Sequence, residues 1–479
     1  MERLSRRLRT LPERHGRITL ILLVLIIAVG FGLRAYRVAE PLATPGDDSR
    51  AYYALAKSLY EEGSFGGSEF RDSSDWSPGA PLLYAAAFYA TGGAREGTAR
   101  IVELLLGLGS IVLVYLLGRR LNCRPAGLLA AFSVAVYPPF IHSTGALFSE
   151  PLAMFTLPAA VLAFLWASDQ GPTTGRAGPV AGQGPSSSQA AGEDPRPHAT
   201  RAMRWLVPGL LFGFSAMARP EYLIVGAAFV LLAAVRIFKF RGWRPGLAAG
   251  ALVAVGMLLP ILPWTIRNVV VLDRVVPIST GGGKALYVGT LLPADGEYQR
   301  AKALLVRRYT GRDLEPGSEA LDRVDPVPLF DRVADRHPEL RRDEALGRIG
   351  KENLYDYVEG DPLAYAGMTV RKVWRMWSGG IGEAMSSTAG RVVQVAIVLL
   401  AVAGLGVLWA RRRWWELIVM ATPILLVTAV GAATLAAPRR NEVLMTLVFP
   451  LAGIALARAG AAILSRSTWT FRPTSSRPS

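Results

Sequence analysis

The chain has 479 residues, 51% of them hydrophobic and 19% charged, with a net charge of +16 and a single cysteine, Cys123. A soluble protein of this length carries more charge and fewer long apolar runs, so the composition excludes a soluble globular enzyme and points to a polytopic membrane protein. Most of the arginine lies in short segments between apolar runs, which the positive-inside rule explains better than a nucleic-acid partner does, and one cysteine excludes an internal disulfide.

The N-terminus, "MERLSRRLRTLPERHGR", is basic and precedes an apolar run from Ile18 to Leu33. Its basic region is long and no small-residue cleavage site follows, so the run reads as a signal anchor that stays as the first span. Apolar segments near the ~20 residues a bilayer requires predict spans at 18–38, 98–118, 126–142, 149–168, 204–219, 221–238, 246–266, 391–410, 414–435 and 442–461. With a cytoplasmic N-terminus, this count puts "GRRLNCR" (118–124), the stretch 169–204, "RIFKFRGWR" (236–244), "RRR" (411–413) and the tail from Arg466 in the cytoplasm. All are basic, as the rule demands. The same count makes "PLLYAAAFYATGG" (81–93) a juxtamembrane or re-entrant helix rather than a crossing.

The predicted organisation follows. Residues 1–168 form N-terminal membrane helices with a first outer loop at 39–97. Residues 169–203 include "GPTTGRAGPVAGQGPSSSQAAGEDPRP"; so few large apolar residues cannot bury a core, and the segment reads as a disordered cytoplasmic linker. Membrane helices resume at 204–266, an outer loop region with a surface helix fills 267–390, C-terminal membrane helices occupy 391–463, and 464–479 is a cytoplasmic tail. The fold class is an all-α polytopic membrane protein whose long loops, and therefore its function, face outward at the plasma membrane.

In the first outer loop, "DSRAYYALAKSLYEEGSF" places Tyr52, Leu55, Ala56 and Leu59 at helical spacing. This predicts an amphipathic helix lying apolar face down on the membrane. Asp47 or Asp48 falls at its N-cap or first turn and Gly63 at its C-cap. The acid pair is either a cap with a solvated neighbour or a general base or metal-binding pair. Glu150, in "ALFSEPLAMF", is either the first turn of a helix behind Ser149 or a functional acid set against an apolar run. His142 is a satisfied polar group or a proton carrier.

The candidate cations are also at the outer ends. Arg219 and Glu221, in "ARPEY", form a mutual ion pair, or Arg219 holds an anionic headgroup. Arg267 ends the span in "LPWTIRN", and Lys284 sits in the glycine-rich "PISTGGGKALYVGT" (277–290). That turn lacks the Walker spacing and is a flexible turn or a place where backbone N–H groups approach phosphate. Arg439 and Arg440 break the positive-inside trend. A second surface helix, "DPLAYAGMTVRKVWRMW" (361–377), offers Trp374 and Trp377 to the interface and Arg371, Lys372 and Arg375 to headgroups or phosphates. Carboxylates and cations gathered at one face suit a phosphorylated lipid substrate: cations for the phosphate, an acid to deprotonate an acceptor, and a helix groove for the tail.

The stretches "GDDSRAYYALAKSLYEEGSF", "SPGAPLLYAAAF", "LFSEPLAMF", "ARPEYL", "LPWTIRNVVVLDRVVPISTGGGKALYVGT" and "PRRNEVLMTLVFPLAGIALA" run in order over nearly the whole chain. As a set they resemble the dolichyl-phosphate-mannose:protein mannosyltransferase-like superfamily, glycosyltransferase family 39, and within it the bacterial aminoarabinose lipid A transferases. The resemblance implies a GT-C-like transmembrane helix bundle. It implies transfer of a sugar from a polyprenyl-phosphate donor to a lipid, glycan or protein acceptor on the outer face, with inversion. It places the catalytic base on Asp47, a supporting acid on Asp48 where the family has Glu, and the second loop acid on Glu150. The donor phosphate falls to Arg219, Arg267, Lys284, Arg439 and Arg440. Ser77 stands before Pro78 where the lipid A branch carries Lys, so the resemblance implies the general chemistry and not a particular acceptor. A divalent cation, Mg or Mn, is compatible with the acids, and the sequence does not decide for or against it. Membrane lipids are the remaining partner, and no nucleic acid is expected. The rival readings are a multi-span transporter or flippase, which calls for inverted repeats and mid-membrane polar residues, and an assembly protein of the envelope without catalysis.

Overall fold

A computed structural model describes residues 2–40, 47–66, 73–169 and 202–467. The chain is helical throughout, with no strand among the described residues. In chain order the helices are α1 (Glu2–Ala39), α2 (Asp47–Glu61), α3 (Gly79–Thr91), α4 (Glu96–Leu121), α5 (Arg124–Val136), α6 (Pro138–Ser143), α7 (Glu150–Ser168), α8 (Leu206–Ala218), α9 (Tyr222–Arg241) and α10 (Trp243–Leu272). A group of helices outside the apolar bundle, here the outer group, follows: α11 (Gly282–Thr290), α12 (Tyr298–Thr310), α13 (Glu319–Asp322), α14 (Val327–Ala334), α15 (Arg342–Gly360), α16 (Pro362–Ser378) and α17 (Glu383–Ser386). The chain closes with α18 (Thr388–Ala410), α19 (Trp414–Ala433) and α20 (Pro438–Ser467).

Eight described helices are long and apolar enough to cross a membrane: α1 from Gly16, α4, α7, α9, α10, α18, α19, and α20 to Ile463. The protein is a multi-pass membrane protein. Two of the ten expected spans are shorter. The segment 126–142 breaks at Tyr137, whose ψ of 118° precedes Pro138 and Pro139, because a residue before proline is driven out of the helical region. The segment 204–219 gives the 13-residue α8. It packs so tightly on α10 that a Cβ on Gly209 would lie 2.2 Å from Val253 O. Most of the linker at 169–203 and the end of the tail lie outside the described residues.

The helix expected at 81–93 is α3, too short to span a bilayer at ~1.5 Å per residue. It covers α2. Tyr52 and Ala56 of α2 pack with Ala80, Tyr84 and Phe88 of α3 in one buried cluster. The apolar face of α2 is therefore buried on protein, where the sequence reading laid it on lipid. A third helix was available to cover that face, and a helix takes whichever apolar partner the chain supplies.

The segment 267–390 is largely helical and has a core of its own around Tyr287, Val288, Leu305, Val306, Phe330 and Ile349. Here too the expected surface helix differs. On α16, Trp374 is exposed, but Arg371 and Arg375 bond Asp295, and Lys372 is fully buried. Its Nζ donates to Gly289 O at 2.8 Å and Ala432 O at 2.7 Å. Lys372 fastens α16 to α11 and to the bundle helix α19, answering carbonyls left open at their C-terminal ends, positions that attract positive charge, while Arg371 and Arg375 hold Asp295 within the same group.

Candidate active site

Two membrane helices, the shorter helix α2 and one corner bring their polar ends together at one end of the bundle. Asp48 stands in the first turn of α2, Glu150 opens α7, and Arg439 and Arg440 open α20. Arg219 and Glu221 flank Pro220 at the α8–α9 corner, where proline at the break and an extended Arg219 (φ −146°, ψ 113°) turn the chain.

Their side chains form one continuous relay of charge. Arg439 Nη1 donates to Asp48 Oδ2, its Nε to Glu150 Oε1, and its Nη2 to Glu150 Oε2 at 3.0 Å. Arg219 Nη1 reaches the same Glu150 Oε1 at 2.5 Å, and its Nε reaches Glu221 Oε1 at 2.8 Å. Glu150 is fully buried, and only such double engagement makes a carboxylate tolerable there. Burial works against ionisation of Glu221, but Arg219 and Arg440 outweigh it and hold its carboxyl well below the usual range. Arg440 Nη1 donates to Thr434 Oγ1 at 2.9 Å. It is the cation of the three with no carboxylate at ion-pair distance among the described residues. Arg439 also lies over the Phe148 ring, 4.4 Å from its centroid.

Two further acids belong to this end, and the sequence reading missed both. Glu103, fully buried on α4, accepts Tyr84 OH at 2.6 Å and the backbone N–H groups of Gly145 (2.7 Å), Leu147 (3.1 Å) and Phe148 (2.8 Å). It moors the turn that delivers Glu150, including the left-handed Leu147 at φ 57°. Glu442, one turn after Arg439, accepts Ser143 Oγ; its Oε2 has no partner among the described residues. An acid inside an apolar run is a signal for both positions. Tyr52 is buried beside Ser149, and burial, then Asp48 and Glu150, push its phenol up.

Asp47 is the first residue of α2; its side chain lies outside the described residues. Arg267 and Lys284 do not join the relay. Arg267 Nη2 donates to Phe65 O at 2.7 Å and its guanidinium lies over the rings of Trp264 and Phe65. Lys284 sits over Phe330 in the outer group. Two N–H groups of the glycine-rich turn are taken: Gly283 N and Lys284 N donate to Asp343 Oδ1 at 2.8 and 3.2 Å. His142 is half-buried on α6 beside Gly382.

Both Glu150 oxygens and Asp48 Oδ2 face guanidinium donors, and no group of three or more His, Cys, Asp or Glu among the described residues could hold a metal. Arg439 occupies the place between the acids and supplies the positive charge there.

Residues 79–177 match the model of the dolichyl-phosphate-mannose-protein mannosyltransferase family, which is the family the sequence resembles. No curated protein sequence matches the chain. Among solved structures, the apo oligosaccharyltransferase of Archaeoglobus fulgidus is similar, with 16% identity, 96% of this chain and 53% of that chain covered, and a TM-score of 0.53. The same archaeal protein in complex with Zn and sulfate gives 15% identity over 94% of this chain and 50% of that one, with a TM-score of 0.52. ArnT from Cupriavidus metallidurans bound to undecaprenyl phosphate is 13% identical over 94% of this chain and 81% of that one, with a TM-score of 0.41. The chain thus spans about half the length of the archaeal enzyme, and its fold is that of a GT-C-like membrane helix bundle.

Proposed function

We propose that the chain is a membrane glycosyltransferase that takes a sugar from a polyprenyl-phosphate donor and passes it, with inversion, to an acceptor at the outer face of the plasma membrane. The observation that carries this reading is the relay Asp48–Arg439–Glu150–Arg219–Glu221 at one end of the bundle. The opposite helix ends carry Arg119, Arg120, Arg411 and Arg413, which supports a cytoplasmic assignment for that side and an outward one for the relay.

In this reading the donor's isoprenoid tail lies between membrane helices and its phosphate meets Arg440, with Arg439 and Arg219 behind it. Asp47, at the positive end of α2, takes the proton of the acceptor hydroxyl or amine. As that proton leaves, the acceptor atom bonds to the sugar C1 and the C1–O bond to phosphate breaks on the opposite side. The leaving phosphate is already ionised and needs cations more than a general acid. Asp48 is held by Arg439 and is a supporting acid. Glu150 fixes both arginines in place, so the cations meet the developing charge without rearrangement.

The test is release of polyprenyl phosphate by the purified protein in detergent, supplied with a panel of radiolabelled polyprenyl-phosphate sugars and an envelope extract as acceptor. Release by wild type and not by Asp47→Asn supports donor class and base together. Equal release by both proteins sinks Asp47 as the base. Retention of every donor by a wild-type protein that binds polyprenyl phosphate sinks the transferase reading.

A further inference from the structure

A second polar centre lies in the outer group, away from the relay. The Gly-rich turn before α11, the short turn at Ser73–Asp75, and helices α14 and α15 enclose a cavity of about 40 Å³. Asp75, Lys284, Arg342 and Asp343 line its polar side, and Val327 and Phe330 its apolar side.

The charges around it are unevenly satisfied. Asp75 Oδ1 accepts Thr280 Oγ1 at 2.6 Å and its Oδ2 accepts Arg342 Nη2 at 2.5 Å. Arg342 Nη1 turns to Asp331 at 3.4 Å. Asp343 is engaged by the two backbone N–H groups of the glycine-rich turn. Burial, and after it the neighbouring Asp75, raise the Asp343 carboxyl above its ordinary range despite those bonds. Asp75 and Arg342 are an ion pair, while Lys284 is the cation of the four with no carboxylate at ion-pair distance among the described residues; its Nζ sits 6.0 Å from the Phe330 ring centroid. A group entering the cavity meets one cation that no carboxylate holds, Lys284, beside an Asp343 carboxylate already engaged by two backbone N–H groups.

The cavity is also joined to the relay through covalent neighbours. Trp76 follows Asp75 and packs edge-on against Tyr52 at 5.4 Å between centroids. Tyr52 in turn stands by Asp48 and Glu150.

We propose that this cavity is an acceptor subsite that takes a small anionic group, a carboxylate or a phosphate, with Lys284 as its charge partner, Arg342 as its second donor, and Val327 and Phe330 against the attached carbon skeleton. The proposal rests on the transferase reading for the word acceptor; the anion site itself does not. The catalytic acids are reached by the rest of the acceptor passing Trp76.

The experiment is amine labelling of Lys284 in the purified full-length protein, read by mass spectrometry, with exposed Lys57 and Lys351 as internal references. Sodium glucuronate and inorganic phosphate are added separately, each against sodium chloride of equal ionic strength and against neutral methyl glucuronate. The expected result is a several-fold loss of labelling at Lys284 alone, with either anion but not with chloride or the neutral ester. Protection by glucuronate only assigns a carboxylate, and protection by phosphate only assigns a phosphate. Arg342→Gln should weaken the protection several-fold, and Arg342→Lys should retain more of it. Equal protection by the neutral ester, or none by either anion, overturns the subsite. Donor release is measured on the same preparation. Protection without release leaves an anion site and removes the transferase reading, while release without protection removes only the subsite.

Discussion

Arg439 grips Glu150 with two guanidinium nitrogens, Nε on Oε1 and Nη2 at 3.0 Å on Oε2. The two residues stand 289 positions apart in sequence and open two different membrane helices. This fork fixes the relative height of α7 and α20 as well as the charge of the site. Lysine keeps the charge but cannot make the fork. Arg439→Lys should therefore insert and fold yet lose on the order of 100-fold in donor turnover, the scale for removing a preorganised donor to developing charge. Arg439→Ala leaves buried Glu150 with Arg219 alone and should also melt earlier, with a cost near the low end of the ~3–5 kcal/mol seen when a buried pair is broken. Turnover and thermal melting of the two variants separate the effects. A fully active Arg439→Lys variant would show that the fork is only structural.

Glu103 gives the second prediction. It accepts four hydrogen bonds, three of them from the turn 145–148 that ends at Glu150. Glu103→Gln preserves volume but replaces one acceptor oxygen with an NH₂ that faces donors. The lost charged hydrogen bonds are worth about 2–3 kcal/mol, and the displaced turn should lower kcat by ~10-fold or more, since small misplacements at a reacting centre are expensive. KM for the donor should change little. Unchanged kcat in a variant that melts earlier would assign Glu103 to stability alone.

Eight of the ten spans, the α2 helix, and the candidacy of Asp48, Glu150, Arg219, Arg439 and Arg440 were legible, because apolar run length and charges against the topological trend are local signals. The relay itself was not legible. Nothing in the sequence says that residue 439 meets residues 48 and 150, since that depends on how α2, α7 and α20 pack. Lys284 and Arg267 look like Arg440 in one dimension, yet packing sends them to the outer group and to Phe65. Lys372 looked like a headgroup cation because four methylenes and a charge carry no mark of burial.

Lys372 supplies a pH prediction. Its side chain is fully buried, and desolvation, then Arg440 and Arg375, lower its pKa to about 8 from an ordinary value of 10.5. Below pH 8 both folded and unfolded states hold the proton, and the penalty of burying the charge is present in full. Between about 8 and 10.5 the folded protein releases its proton while the unfolded chain keeps it, so the unfolded state binds more protons and stability rises with pH. The full excursion is worth at most about 3 kcal/mol. Wild type should melt at a higher temperature at pH 9.5 than at pH 7.5, after correction for the common drift of the Lys372→Met variant. A wild-type melting temperature that tracks the variant across this window contradicts the assignment.

The glycine-rich turn gives the last prediction, from a contrast between neighbours. A Cβ at Gly283 would lie 1.8 Å from the backbone oxygen of Asp343, whereas a Cβ at Gly282 would meet nothing within 4 Å. Neither needs a left-handed backbone, so the difference is one of space. Gly283→Ala should push the start of α15 away from α11, break the two N–H bonds to Asp343, and open the cavity that holds Lys284. Gly282→Ala should be silent, or slightly stabilising through the entropy of the unfolded chain. Limited proteolysis across 311–342 reads this directly: faster cutting is expected in Gly283→Ala and wild-type rates in Gly282→Ala. Because the relay lies at the bundle end and Gly283 sits away from it, on the far side of Trp76 and Tyr52, donor binding should survive in both. Loss of donor binding in Gly283→Ala would mean that the outer group and the relay act as one unit.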